Sequence, residues 1–189
     1  MRILLNKYNR HLVKNLHMGV LIVLFIFVQT IYAISLDAGI NYFTGELNKQ
    51  IKTAPYAGAE LGYGLSDYTS LYLQAAFSYL KLKENKDFHG LYQFIGRAGV
   101  ESSEQLFKYA AAGIGISLAT VRGKKATQHA ENYMLSTNES EFGWNTHLKL
   151  NLLRIEKFTF GTKFHYDEIW TKPINSSLLQ TGIFVNYDL

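Results

Sequence analysis

Between Ile34 and Leu189 the side chains alternate in character with a period of two, and no charge falls on the apolar parity. The segment Leu71, Leu73, Ala75, Phe77, Tyr79 interleaves with Tyr72, Gln74, Ala76, Ser78. Later, Phe158, Phe160, Phe164 and Tyr166 interleave with Thr159, Gly161, Lys163 and His165. A period of two is how a β-strand sorts side chains onto opposite faces. The alternation predicts strands at 34–43, 56–65, 70–80, 91–101, 107–121, 141–153, 158–167 and 178–189. Their connections alternate as well. Segments 44–55, 81–90, 122–140 and 168–177 are long and polar, whereas 66–69, 102–106 and 154–157 are short. Long loops at one end and tight turns at the other describe an all-β, eight-stranded antiparallel up-and-down transmembrane β-barrel.

The N-terminal 33 residues are expected to stand outside that barrel. Arg2, Lys7, Arg10 and Lys14 precede an unbroken apolar run from Gly19 to Val28, and Ile31-Tyr32-Ala33 offers a small-residue cleavage site. This order of basic, apolar and small-residue regions is that of a signal peptide, which assigns 1–33 to export and 34–189 to the barrel. Translation from Met18 would lose the basic leader. The leader holds four of the 19 Lys+Arg and none of the 15 Asp+Glu, so residues 34–189 balance at 15 against 15. The basic balance therefore belongs to the leader, and no clustered basic domain surface argues for nucleic acid. The chain has no cysteine, which excludes disulfides and thiolate chemistry. Its two prolines, Pro55 and Pro173, are expected between strands, because proline cannot donate to a sheet ladder.

Alternation alone does not say which face points inward, since a soluble barrel would bury the apolar parity. Glycine decides it. Gly39, Gly58, Gly62, Gly64, Gly99, Gly113, Gly115, Gly143, Gly161 and Gly182 share the polar parity, and Gly96 alone sits on the apolar one. Glycine weakens a solvated strand, but a narrow barrel needs small residues inside. The apolar face is therefore expected to meet lipid. Tyr42, Tyr79, Tyr92, Trp144 and Tyr166 cluster near the long-loop ends, with Phe107, Phe158 and Tyr187 near the short-turn ends. Such paired aromatic belts mark the two interfaces of a bilayer.

The terminal segment Gln180-Thr-Gly182-Ile-Phe-Val185-Asn-Tyr187-Asp-Leu189 resembles the last-strand signal of bacterial outer-membrane proteins, although Leu189 stands where an aromatic residue is usual. With Gly62-Tyr-Gly-Leu-Ser66 and Phe160-Gly-Thr-Lys-Phe-His-Tyr166, the chain resembles small outer-membrane barrels of the OmpA-like, OmpX and opacity-protein kind. That resemblance implies export to the bacterial outer membrane, insertion by the barrel-assembly machinery, and contact with outer-membrane lipids and lipopolysaccharide. It carries no reaction.

Inward positions hold Asp37, Glu60, Arg97, Glu101, Lys149 and Lys163, together with His147, His165, Asn41, Gln74, Asn145, Asn151 and Gln180. Buried charges of mixed sign can pair, so an interior polar network that closes the barrel is expected. A gate in which the three bases exchange acidic partners is the sharper alternative. An enzyme of the lipid A-modifying kind would need a nucleophile within reach of a histidine base. His147 and His165 have no serine two residues away, and only loop pairs such as His129 with Ser136 or Ser140 are conceivable. No catalytic residue, metal site or cofactor is expected, since the two inward histidines lack a third ligand. Lys81, Lys83, Arg122, Lys124 and Lys125 leave the strands at the outer rim, where bases can meet lipopolysaccharide phosphates. The expected role is structural or surface-interacting, toward a host or neighbouring-protein surface through the long loops. The alternatives are transport of small hydrophobic molecules and lipid A modification.

Overall fold

A computed structural model describes residues 31–44, 48, 51–83, 88–102, 109–125, 138–170 and 176–189, with the backbone alone at 88–90, 124, 125 and 138. The strands are β1 (Ile31–Thr44), β2 (Ala54–Gly64), β3 (Thr69–Leu80), β4 (Phe88–Ser102), β5 (Ala110–Lys125), β6 (Asn138–Ile155), β7 (Phe158–Ile169) and β8 (Ser176–Asp188). They form one closed barrel in sequence order. Closure is made by antiparallel pairing of β1 with β8, from Ala33 opposite Asp188 to Thr44 opposite Ser177. A closed ladder leaves no strand edge unpaired, the condition for crossing lipid with strands.

The parity rule holds with the apolar set outside. Leu36, Leu73, Phe77, Ile116, Phe142 and Ile183 are exposed, Ile183 at 67 %, while Asp37, Glu60, Gln74, Arg97 and Lys163 are buried. Inward glycines meet across neighbouring strands at two places. Gly99 pairs with Gly115 across β4 and β5, and a Cβ on them would come within 2.8 and 2.6 Å of the Tyr72 hydroxyl. Gly39 pairs with Gly182 across the closure, where an added Cβ on Gly39 would lie 2.5 Å from the Gly182 Cα. Gly96, on the outer face, has nothing within 4 Å of the corresponding position.

Several boundaries differ from expectation. β1 starts at Ile31, ahead of the strand expected at 34–43, and its Ala33 is buried and paired with Asp188. Residues 1–30 of the expected leader lie outside the described residues. Pro55 is the second residue of β2 rather than a loop residue, tolerated because the ladder is only beginning there. β5 and β6 run on to Lys125 and from Asn138, with Thr120 opposite Ser140 and Arg122 opposite Asn138. The connection drawn at 122–140 is thereby reduced to 126–137. Near its other end β6 slips phase between Asn151 and Leu153. One extra residue, Leu152, lets both it and Leu153 stay outside while Arg154 turns toward the interior end. This is the work of a β-bulge.

Candidate functional site: the barrel interior and its two ends

Read along the barrel axis from the short-turn end, the interior has four zones. The first is an open vestibule of about 400 Å³ whose floor is Glu60, Glu101 and Lys149 and whose rim includes Asp67, Arg154 and Asp188. Arg154 and Asp188 pair at 2.7 Å, a contact that exists only because the bulge turns Arg154 inward.

The second zone is an ion-pair cluster. Lys149 Nζ donates to Glu60 Oε1 at 2.5 Å and to Glu101 Oε2 at 2.6 Å. Lys163 Nζ reaches the other oxygen of Glu60 at 2.5 Å, and Glu101 Oε2 also holds His147 Nε2 at 2.9 Å. Each carboxylate thus faces two nitrogens, the arrangement that makes burial of charge tolerable.

Above it lies a net centred on Arg97, whose side chain is wholly inaccessible. Its guanidinium grips Asp167 with two parallel bonds of 2.9 and 2.5 Å and donates to the side-chain oxygens of Gln74 at 2.8 Å and Gln180 at 2.5 Å. Gln74 in turn donates to both oxygens of Asp37 at 3.1 and 3.2 Å. Gln180 donates to Asn41 at 2.7 Å, and Asn41 to Ser78 at 2.5 Å. Tyr72 donates to Asn145 Oδ1 at 2.6 Å. Five strands are tied together through this net (β1, β3, β4, β7 and β8). The planar five-donor fork of arginine suits such a hub.

The fourth zone is apolar. Phe43, Ala54, Leu80, Leu91, Ile95, Ala119, Ile169 and Leu178 pack inside the long-loop end, and Ile51 from the β1–β2 connection is inserted among them at 1 % exposure. Ile51 bridges to Leu82, and Lys52 N bonds to Lys81 O at 2.8 Å. Two loops are therefore stitched together over a plug that leaves only about 30 Å³ of free volume.

The residues expected inside are all found there, but not in one network. Asp37 and Arg97 belong to the upper net, whereas Glu60, Glu101, His147, Lys149 and Lys163 form the lower cluster. His165 is buried against the His147 ring at 4.8 Å, yet neither of its nitrogens bonds to a protein group. Neither histidine is bonded to a hydroxyl: His147 Nε2 holds Glu101 and its Nδ1 is unpaired. Ser140 shares a bond with Thr120, while His129 and Ser136 lie outside the described residues. Among the described residues no group of three metal-ligating side chains assembles. Three contributors were not singled out by sequence reasoning: Asp167, Arg154 and the apolar plug. Asp167 shares the inward parity of Lys163 and His165, and the doublet Leu152-Leu153 marks the phase slip that turns Arg154 inward. Leu80, Leu91 and Ile95 likewise sit on the inward parity of their strands.

On the outer face aromatic rings meet toward both ends of the barrel. Tyr92 contacts Phe77 at 5.9 Å and Tyr79 at 5.3 Å, and Trp144 contacts Tyr166 at 5.5 Å, all toward the long loops. At the other end Phe158 contacts Tyr187 at 5.0 Å; Phe107 lies outside the described residues. Of the rim bases, Lys81, Lys83 and Arg122 are exposed, and Lys83 Nζ bonds to the Asn48 carbonyl. The side chains of Lys124 and Lys125 lie outside the described part.

Comparison with solved structures places the fold among small outer-membrane barrels. The outer membrane protein OprG from Pseudomonas aeruginosa is similar over 85 % of this chain and 98 % of its own, at 12 % identity and a TM-score of 0.55. Neisserial surface protein A is similar over 84 % of this chain and 97 % of its own, at 12 % identity and a TM-score of 0.56. By sequence the chain matches no family model and no curated protein.

Proposed function

We propose that this protein is an integral barrel of the bacterial outer membrane with a structural or surface-interaction role, carried by the loops above its long-loop end. The observation that carries the reading is the apolar plug roofed by Ile51 above the Arg97 net, beneath loops stitched at Ile51 and Leu82. A barrel plugged in this way is a scaffold rather than a conduit, and binding residues concentrate in loops held on rigid scaffolds. The apolar outer belt with aromatic rings at both rims supports membrane residence, and the likeness to a Neisserial surface protein is in keeping with it. The exposed bases Lys81, Lys83 and Arg122 lie at the rim where lipopolysaccharide phosphates would meet them. Lys124 and Lys125 continue that basic run in sequence.

Replacing residues 123–137 with a short turn is expected to leave heat-modifiable gel migration intact and to abolish adhesion to host cells or capture of a neighbouring barrel. Binding that survives the replacement would sink the loop assignment. Lipid A from cells with and without the protein is expected to give identical mass spectra. A gained or lost acyl chain would turn the reading toward an enzyme and direct attention to the histidines.

A further inference from the structure

The vestibule at the short-turn end has no part in a role carried by the opposite loops. It is a blind pocket of about 400 Å³, within the range of about 300–1,000 Å³ typical of small-molecule sites. Three of its carboxylates are already held in ion pairs. Glu60 is held by Lys149 and Lys163, Glu101 by Lys149 and His147, and Asp188 by Arg154 and the Asn186 amide. A charged ligand would have to break one of these pairs, at the cost of leaving a poorly solvated charge behind. The groups still able to bond include a neutral hydroxyl and one ammonium proton. Ser35 lines the pocket, is 3 % exposed, and its hydroxyl has no protein partner. Ser70 makes a long 3.5 Å contact to Glu101 and a side-chain hydrogen bond with Tyr32. The ammonium of Lys149 has a third proton beyond the two it gives to the carboxylates. The buried ring of Phe184 lines the same wall and supplies an apolar surface.

From this arrangement we infer that the vestibule is a binding site for a neutral polyhydroxylated small molecule, of the size of a mono- or disaccharide. Hydroxyls donate and accept at once, which matches a lining of serine hydroxyls, one ammonium proton and carboxylate lone pairs. The C–H face of a sugar ring would pack against Phe184. The inference uses the outer-membrane reading only to say which compartment supplies the ligand: the periplasm, toward which the short turns would face. Binding itself is independent of the loop role.

The test is nuclear magnetic resonance of the full-length protein in lipid nanodiscs, following the backbone amides of Ser35, Ser70 and Asn151. Cellobiose is expected to shift these amides saturably and to leave the outer-face residues Leu73 and Ile183 unmoved. Spermidine and glucose 6-phosphate, as cationic and anionic probes, are expected to leave all of them in place. Ser35→Val should weaken cellobiose binding about tenfold, the loss of roughly one hydrogen bond. Ala111→Phe, which fills the pocket wall, should abolish it. If the phenylalanine variant fails to fold, the Ser35→Val variant decides alone. Absence of saturable shifts with cellobiose, shifts only with a charged probe, or unchanged affinity in Ser35→Val would each overturn the assignment.

Discussion

Glycine and arginine show at single positions how this barrel is held. Gly115 faces inward with the Tyr72 hydroxyl 2.6 Å from where a Cβ would lie, whereas Gly96 faces outward into open space. Gly115→Val is therefore expected to cost about 3 kcal/mol by overpacking. Gly96→Ala should stay within about 0.5 kcal/mol of the parent, both measured by urea unfolding in micelles with gel migration as the readout. The bidentate Arg97–Asp167 pair makes a different prediction. Arg97→Met strands a buried carboxylate and should cost about 3–5 kcal/mol, much of it regained in the double variant Arg97→Met/Asp167→Leu. If both variants lose the same amount, the pair is not what holds β4 to β7 across the interior. Glu156, in the two-residue turn between β6 and β7, has φ of 52°, a conformation that favours glycine. Glu156→Gly should stabilise the barrel by about 1 kcal/mol in the same assay.

At the level of the strand, the phase slip in β6 deserves its own test. Up to Asn151 the odd positions face inward; after Leu152 the even position Arg154 does. If the same sequence alternated strictly, with no bulge, Leu153 would lie in the polar vestibule and Arg154 on the apolar outer belt. Deleting Leu152 removes the unpaired residue and leaves Asn151 inside, Leu153 outside and Arg154 inside in regular alternation, so assembly into liposomes and stability are expected to be retained. Adding Leu153→Ser and Arg154→Leu to that deletion puts serine on the lipid face and leucine in the vestibule, and should lower stability. Loss of folding on the deletion alone would mean that the bulge is needed for the backbone shape of the turn rather than for side-chain sorting.

For the whole molecule the decisive property is the succession of zones along the axis. A vestibule open at one end, two paired polar layers and an apolar plug leave a barrel that is not a channel among its described residues. Planar-bilayer recordings are expected to show no large, stable conductance. Sustained openings would require the Arg97 net and the plug to part together. Purified protein should partition into detergent and migrate differently on gels before and after heating, as closed membrane barrels do. Loss of partitioning would return the apolar belt to a protein–protein contact.

The strand count, the alternation of long and short connections and the inward direction of the polar parity were all legible in the chain, because a strand's period of two is a local property and inward glycine leaves a local mark. The interior residues named from parity are inside for the same reason. Which of them touch was not legible. Arg97 and Asp167 are 70 residues apart, Lys163 and Glu60 are 103, and their meeting depends on the stagger of eight strands around the barrel. Parity assigns a face but not a height, so it could not separate the upper net from the lower cluster or show that His165 bonds to neither. Nor could it place Ile51, which reads as part of a polar loop and is buried as the roof of the plug. That burial follows from where closure brings the loop, and closure is a property of the whole sheet.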